Sequence, residues 1–110
     1  MVETTSLQEL NLLGERVRDE LVTAGFSPHQ FVGTEENSDD WRHRGPLVVV
    51  RRDHVEVWWS VGLRPESQSG PTYAERGMTR VLLDILSHAG ISAQLSTPTR
   101  QGDVAVWVTP

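Results

Sequence analysis

The sequence predicts an α+β fold in which an antiparallel β-sheet of about five strands carries two helices on one face, in the chain order α-β-β-β-α-β-β. Three observations support it. Two stretches with helical spacing of apolar residues each begin at a capping box. Residues 47–61 form two valine-rich runs around a short polar turn, and a further alternating run occupies 104–109. Because hairpins dominate this order, we expect the strands to be antiparallel.

The first helix is predicted to begin at Ser6, whose hydroxyl can accept a hydrogen bond from the Glu9 amide. Apolar residues and one glycine then recur three or four positions apart on one stripe: Leu7, Leu10, Leu13, Gly14, Val17, Leu21 and Ala24. Gly25 is a natural residue to end the helix, and Phe26 is placed to close a Schellman contact onto Leu21.

The second helix is predicted to begin at a capping box from Thr72 to Glu75 and to end at Gly90. Its apolar stripe consists of Ala74, Met78, Val81, Leu82, Ile85 and Ala89. The two stripes and the strand alternation together predict a core of Leu10, Val17, Leu21, Val57, Trp59, Met78, Leu82, Ile85, Leu95 and Val106.

The central hairpin has two possible registers. A two-residue turn at 53–54 places Arg51 opposite Glu56, whereas a turn one residue earlier places Val50 opposite Val55. We favour the first register, because it pairs opposite charges across the ladder. Short strands are also predicted at 29–32 and at 91–96.

Length, charge and composition limit the class of protein. We expect residues 1–110 to form one domain, and the absence of cysteine excludes disulfides and cysteine-ligated metals. The sequence shows neither a secretion signal nor a run of about 20 apolar residues, so we expect a cytoplasmic protein with no membrane association. A net charge of −5 makes nucleic acid an unlikely partner, since phosphate binding depends on clustered cations.

No catalytic, metal or cofactor motif is apparent, so we predict no catalytic residues, no bound metal and no cofactor. The four histidines lie on different predicted elements without metal-ligand spacing. No nucleophile elbow and no glycine-rich phosphate loop is present.

The sheet face opposite the helices is the predicted interaction surface. If the alternate valines face the helices, this face carries Leu47, Val49, Trp58, Ala105 and Trp107. An open apolar patch of this kind is unusual for a monomer, so we expect a second copy of the chain or another protein to cover it. The alternative is that the loop of residues 34–46 folds over the face through Trp41.

The predicted function is therefore that of a non-catalytic protein-interaction module, such as a homodimeric chaperone-like or regulatory adaptor. The element order resembles that of the small dimeric chaperones of secretion systems, which implies a dimer that holds a partner segment; no residues are carried over. The alternative function is a small-ligand-binding protein or enzyme whose pocket lies between the sheet and the 34–46 loop and uses Trp41, Arg42 and Arg44.

Overall fold

The computed structural model describes residues 6–37, 39–62, 68 and 70–110, and it has the predicted α+β architecture. The elements are α1 (Leu7–Thr23), β1 (His29–Val32), β2 (Arg44–Val50), β3 (Val55–Val61), α2 (Tyr73–His88), β4 (Ala93–Leu95) and β5 (Val106–Val108). They form one sheet of order β1-β2-β3-β5-β4 with both helices packed on one face. Within these described ranges, no helix is long and apolar enough to cross a membrane.

The ends of α1 follow the sequence prediction. The Ser6 hydroxyl accepts a hydrogen bond from the Glu9 amide at 3.1 Å. At the other end Gly25 adopts a φ of +99°, a conformation that side-chain-bearing residues rarely take. The Phe26 amide then donates to the Leu21 carbonyl at 3.0 Å, which completes the Schellman motif and fixes where the chain leaves the helix.

The buried face of α2 differs from the predicted stripe. It consists of Glu75, Thr79, Leu82 and Leu86, so the helix is rotated by about one position relative to the prediction. Val81 is 39% exposed, and Met78 and Ile85 are only half-buried. The Thr79 hydroxyl donates to the Glu75 carbonyl at 3.0 Å. These polar side chains can be buried because they have hydrogen-bond partners close by in the sequence. A search for apolar residues at helical spacing does not detect them.

The core lies between the helices and the sheet. Its buried members are Val17, Leu21, Val48, Val55, Val57, Leu82, Leu86, Ile91, Val106 and Val108. The prediction that Leu95 is buried was wrong, because β4 is an edge strand and this side chain is 41% exposed. Trp59 is half-buried and packs edge-on against Phe26, with ring centroids 5.8 Å apart.

The hairpin takes the register that the sequence analysis did not favour. Val50 lies opposite Val55 and Val49 opposite Glu56, and the Arg51 amide donates to the His54 carbonyl across a two-residue turn. The expected charge pair still forms, because the Arg51 Nε atom reaches the Glu56 Oε1 atom at 3.1 Å along a diagonal of the ladder. Charge complementarity therefore did not distinguish the two registers.

The sheet is mixed rather than wholly antiparallel, because β1 runs parallel to β2. Parallel neighbours require a crossover connection of about a dozen residues instead of a tight turn. Residues 33–43 provide it, with short 3₁₀ turns at Gly33–Glu35 and Asp40–Arg42. We call this segment the crossover loop.

Candidate functional site

The crossover loop places an aromatic side chain over the sheet face opposite the helices. The ring of Trp41 meets Phe31 edge-on at 5.8 Å and Trp58 edge-on at 6.2 Å between centroids. His29 stacks on Phe31 at 5.9 Å and extends this aromatic row toward the start of β1. The loop therefore covers part of the face that the sequence left open.

The predicted interaction surface is divided between buried and half-exposed residues. Leu47, Val49 and Ala105 have no exposed area, whereas Trp58 and Trp107 are half-buried. The aliphatic part of this surface is thus enclosed by the chain itself, and only the two indole rings remain accessible on it.

The predicted loop residues do not converge on one site. Trp41 contacts the sheet, but Arg42 points to solvent and pairs with Asp39 at 3.5 Å. Arg44 is exposed at the start of β2 and lies near Gly62.

A single carboxylate organises the polar part of this face. Glu56 Oε1 accepts hydrogen bonds from Arg51 Nε and Trp58 Nε1, both at 3.1 Å. Glu56 Oε2 lies 2.9 Å from His54 Nε2 and accepts from Trp107 Nε1 at 3.3 Å. Four side chains from β3, β5 and the hairpin turn therefore depend on one acceptor group.

The hydrogen bonds to Glu56 favour its ionised form. Burial raises the pKa of this carboxyl, but the bond from His54, the bond from Trp58, the charge of Arg51 and the bond from Trp107 together outweigh burial and leave the pKa below its ordinary value. Glu56 is accordingly a fixed acceptor at neutral pH rather than a proton donor. These hydrogen bonds therefore stabilise the fold, and an ionised Glu56 cannot donate a proton as a general acid does.

A second polar group joins β1 to the crossover loop. His29 Nε2 lies 2.8 Å from Asp40 Oδ1, and the amide of Asn37 donates to Asp40 Oδ2 at 2.9 Å. The His29 bond is the largest of the causes that lower the pKa of Asp40. His43 is nearby but donates through Nε2 to the Ser27 carbonyl. Across the part of the chain that the structure describes, no group of three or more His, Asp or Glu side chains could hold a metal ion.

Besides the outer sides of the edge strands β1 and β4, the sheet leaves one side of the far end of β3 without a described partner. Strand β5 pairs with β3 only at Val55, Glu56 and Val57. From Trp58 to Val61, β3 has β2 on one side, and no described residue pairs with its other side. Just before β5, Ala105 exchanges hydrogen bonds with Ser96, which follows β4, and no described residue between Ser96 and Val106 pairs with β3.

The register shows which backbone groups line this open side. Hydrogen-bonded and non-hydrogen-bonded pairs alternate along an antiparallel ladder, and the pair of Arg51 and His54 at the turn is bonded. The even-numbered residues of β3 therefore bond to β2, and the odd-numbered residues direct their N–H and C=O groups to the other side. Pro46, opposite Trp59, fits this alternation because its position requires no ladder donor. Within the stretch from 58 to 61, Trp59 and Val61 thus present a backbone edge with which no described residue pairs.

Two clefts flank this edge, one on each face of the sheet. The helix-side cleft, of about 330 Å³, lies toward α2 and is lined by Trp58, Trp59, Pro71, Glu75, Arg76, Thr79, Arg80, Leu95, Asp103 and Val104. The loop-side cleft, of about 310 Å³, lies toward the crossover loop and is lined by Trp41, Trp58, Trp59, Ser60, Val61, Gly62, Thr99, Gln101 and Asp103. Trp58, Trp59 and Asp103 line both cavities.

Sequence reasoning missed most of this site, including Trp59 as a cleft residue, Arg76 and Arg80. The available signal was a difference in length: β3 is predicted over seven residues, whereas the turn at Gly102 interrupts the segment that should pair with its far end. Comparison with protein families, with curated proteins and with solved structures finds no match to this chain.

Proposed function

We propose that this protein is a non-catalytic interaction module that binds an extended segment of a partner polypeptide as an additional strand on β3. The observation that supports this proposal is the edge from Trp58 to Val61, which pairs with no residue in the described ranges and has a cleft on either face of the sheet. Strand addition to an exposed sheet edge is a recurring mode of peptide recognition.

The alternation of a strand explains how both clefts would be used. An added strand would exchange backbone hydrogen bonds with Trp59 and Val61, which supply affinity without regard to side chains. Successive side chains of that strand would point to opposite faces and enter the helix-side and loop-side clefts in turn. Specificity would then come from what each cleft accepts.

This proposal moves the expected interface from the open sheet face to a strand edge. A homodimer through Leu47, Val49 and Ala105 gains little support, because these side chains are already enclosed. The small-ligand alternative keeps some support from the loop-side cleft beside Trp41, since its volume is at the lower limit of small-molecule sites.

The test begins with a phage-displayed library of linear twelve-residue peptides selected on the full chain. Synthetic versions of the selected peptides are then titrated, and hydrogen exchange of the protein amides is measured with and without peptide. Strand addition predicts slowed exchange at the amides of Trp59 and Val61. A selected peptide that binds without protecting either amide would contradict the proposal and favour a pocket ligand.

A proline substitution tests the same point from the protein side. Val61→Pro removes the backbone N–H of residue 61, which faces the open side of β3, and leaves the ladder to β2 intact. The control Val61→Thr keeps that N–H. We expect Val61→Pro to weaken peptide binding about five- to tenfold, the loss of one hydrogen bond, and Val61→Thr to bind like the wild type. Equal binding by both variants would count against strand addition, and thermal unfolding checks that Val61→Pro is folded.

A further inference from the structure

The two clefts differ in charge, and this difference bears on the chemistry of the bound segment. Arg76 and Arg80 stand one turn apart on α2 and line the helix-side cleft. Both are exposed, and neither forms an ion pair with any residue that the structure describes. Two guanidinium groups at the same wall of a cleft favour a carboxylate ligand, because their planar donors match its two oxygens.

The acidic groups of the helix-side cleft are already engaged. The Glu75 carboxylate is 2.9 Å from Gln68 Nε2 and accepts from the Thr72 hydroxyl at 3.3 Å, and its side chain belongs to the buried face of α2. Asp103 also makes an interaction of its own. These carboxylates therefore have partners, and the arginines at the rim are the groups that a ligand would meet.

The loop-side cleft presents the apolar surfaces of two indole rings instead. The Trp41 indole N–H donates to Glu36 at 2.5 Å, and the Trp58 indole N–H donates to Glu56 at 3.1 Å. With both polar atoms already bonded, the two rings offer apolar surface to an incoming side chain. Ser60, Thr99 and Gln101, which share this cleft, are uncharged. Asp103 lines both clefts and makes an interaction of its own.

Building on the proposed strand addition, we propose that the bound segment carries an aspartate or glutamate side chain facing α2 and apolar side chains at the neighbouring positions facing Trp41 and Trp58. The net charge of −5 further restricts this chemistry, because the whole molecule repels an extended acidic tract. The bound segment therefore carries a single carboxylate between apolar residues. Its attraction acts locally at Arg76 and Arg80.

The test uses three seven-residue peptides, amidated at the carboxyl terminus, of sequence Gly-Thr-Val-Xaa-Val-Thr-Gly, in which Xaa is glutamate, glutamine or lysine. Each carries a fluorescein label on its amino-terminal glycine, and binding to the full chain is measured by anisotropy. We expect the glutamate peptide to bind about five- to tenfold more tightly than the glutamine peptide, and the lysine peptide to bind most weakly. Raising the salt concentration should reduce the difference.

Protein variants identify the source of that preference. The double variant Arg76→Gln with Arg80→Gln should remove the advantage of glutamate over glutamine and leave the glutamine peptide unaffected. Arg52→Gln, at the exposed hairpin turn, is the matched control and should change nothing. Equal binding of the glutamate and lysine peptides, with the edge amides of Trp59 and Val61 protected, would overturn this inference and leave strand addition standing. Absence of binding by all three peptides at millimolar concentration, with no amide protected, would overturn strand addition and this inference with it.

Discussion

Replacing Glu56 by glutamine should lower the free energy of unfolding by about 1 to 2 kcal/mol. The amide oxygen can still accept from Arg51 and Trp58, which share Oε1. The new NH₂ group then faces His54 and Trp107. A neutral imidazole can accept that donor at Nε2, but the indole N–H of Trp107 loses its acceptor. The expected loss is therefore close to the cost of one half-buried donor without a partner.

Truncation to alanine removes every acceptor at once and should cost about 3 kcal/mol, because the bonds to a charged group are individually worth about 1.5 to 3 kcal/mol and are not additive. The Glu56 side chain is only 14% exposed, so water replaces these bonds poorly. Urea unfolding followed by tryptophan fluorescence measures both variants. Glu15→Gln, an exposed helix position, is the control and should stay within about 0.5 kcal/mol. If both Glu56 variants stay within that same limit, the carboxylate does not hold the four side chains together.

The pH dependence follows from the direction of the pKa shift. The folded state holds the pKa of Glu56 below its ordinary value of 4.5, so the ionised carboxylate stabilises the fold above that pH. This contribution is lost as the pH falls below 4.5 and through the folded-state pKa. The stability difference between wild type and Glu56→Gln should therefore shrink in acid. A difference that is constant from pH 7 to pH 3 would contradict the shift.

The remaining predictions concern the helices. Leu86→Ala should lower the free energy of unfolding by about 2 to 5 kcal/mol, and Ile85→Ala by less than half as much, because only Leu86 is fully buried. Equal losses for the two variants in urea unfolding would mean that the buried face of α2 is misplaced. Gly25→Ala should cost about 1 kcal/mol, since φ is +99° there, whereas Gly77→Ala, in open space within α2, should stabilise the protein by about 0.5 to 1 kcal/mol in thermal unfolding. The opposite order of these two glycine variants would refute the backbone argument.

Local signals in the sequence were sufficient for the order of the elements and for the ends of the two helices. Both capping boxes form, with Thr72 accepting the Glu75 amide at 3.2 Å, and both helices end at a glycine in the left-handed conformation. The short strand His29–Val32 appears as predicted. These features depend on contacts between residues close in sequence, and an individual sequence contains that information.

Features that depend on distant partners were less accessible. The parallel direction of β1 follows from the path of the crossover loop, although a connection of that length is already too long for a tight hairpin. The buried face of α2 includes Glu75 and Thr79, which a hydropathy pattern assigns to solvent. The β3 edge without a described partner arises because the pairing with β5 stops at Val106, and the turn at Gly102 is the only local signal of this tertiary arrangement.

The short junction between β3 and β5 also has a kinetic consequence. It consists of three residue pairs, whereas seven pairs join β2 to β3. Partial opening of the native state should therefore release the β4 and β5 hairpin first, and the amide protons of Val106 and Val108 should exchange with solvent sooner than that of Val49. Each such opening lengthens the accessible edge of β3 back to Val55. Substitutions that weaken this junction will consequently raise the rate of intermolecular strand pairing and of aggregation, even where they leave the clefts intact.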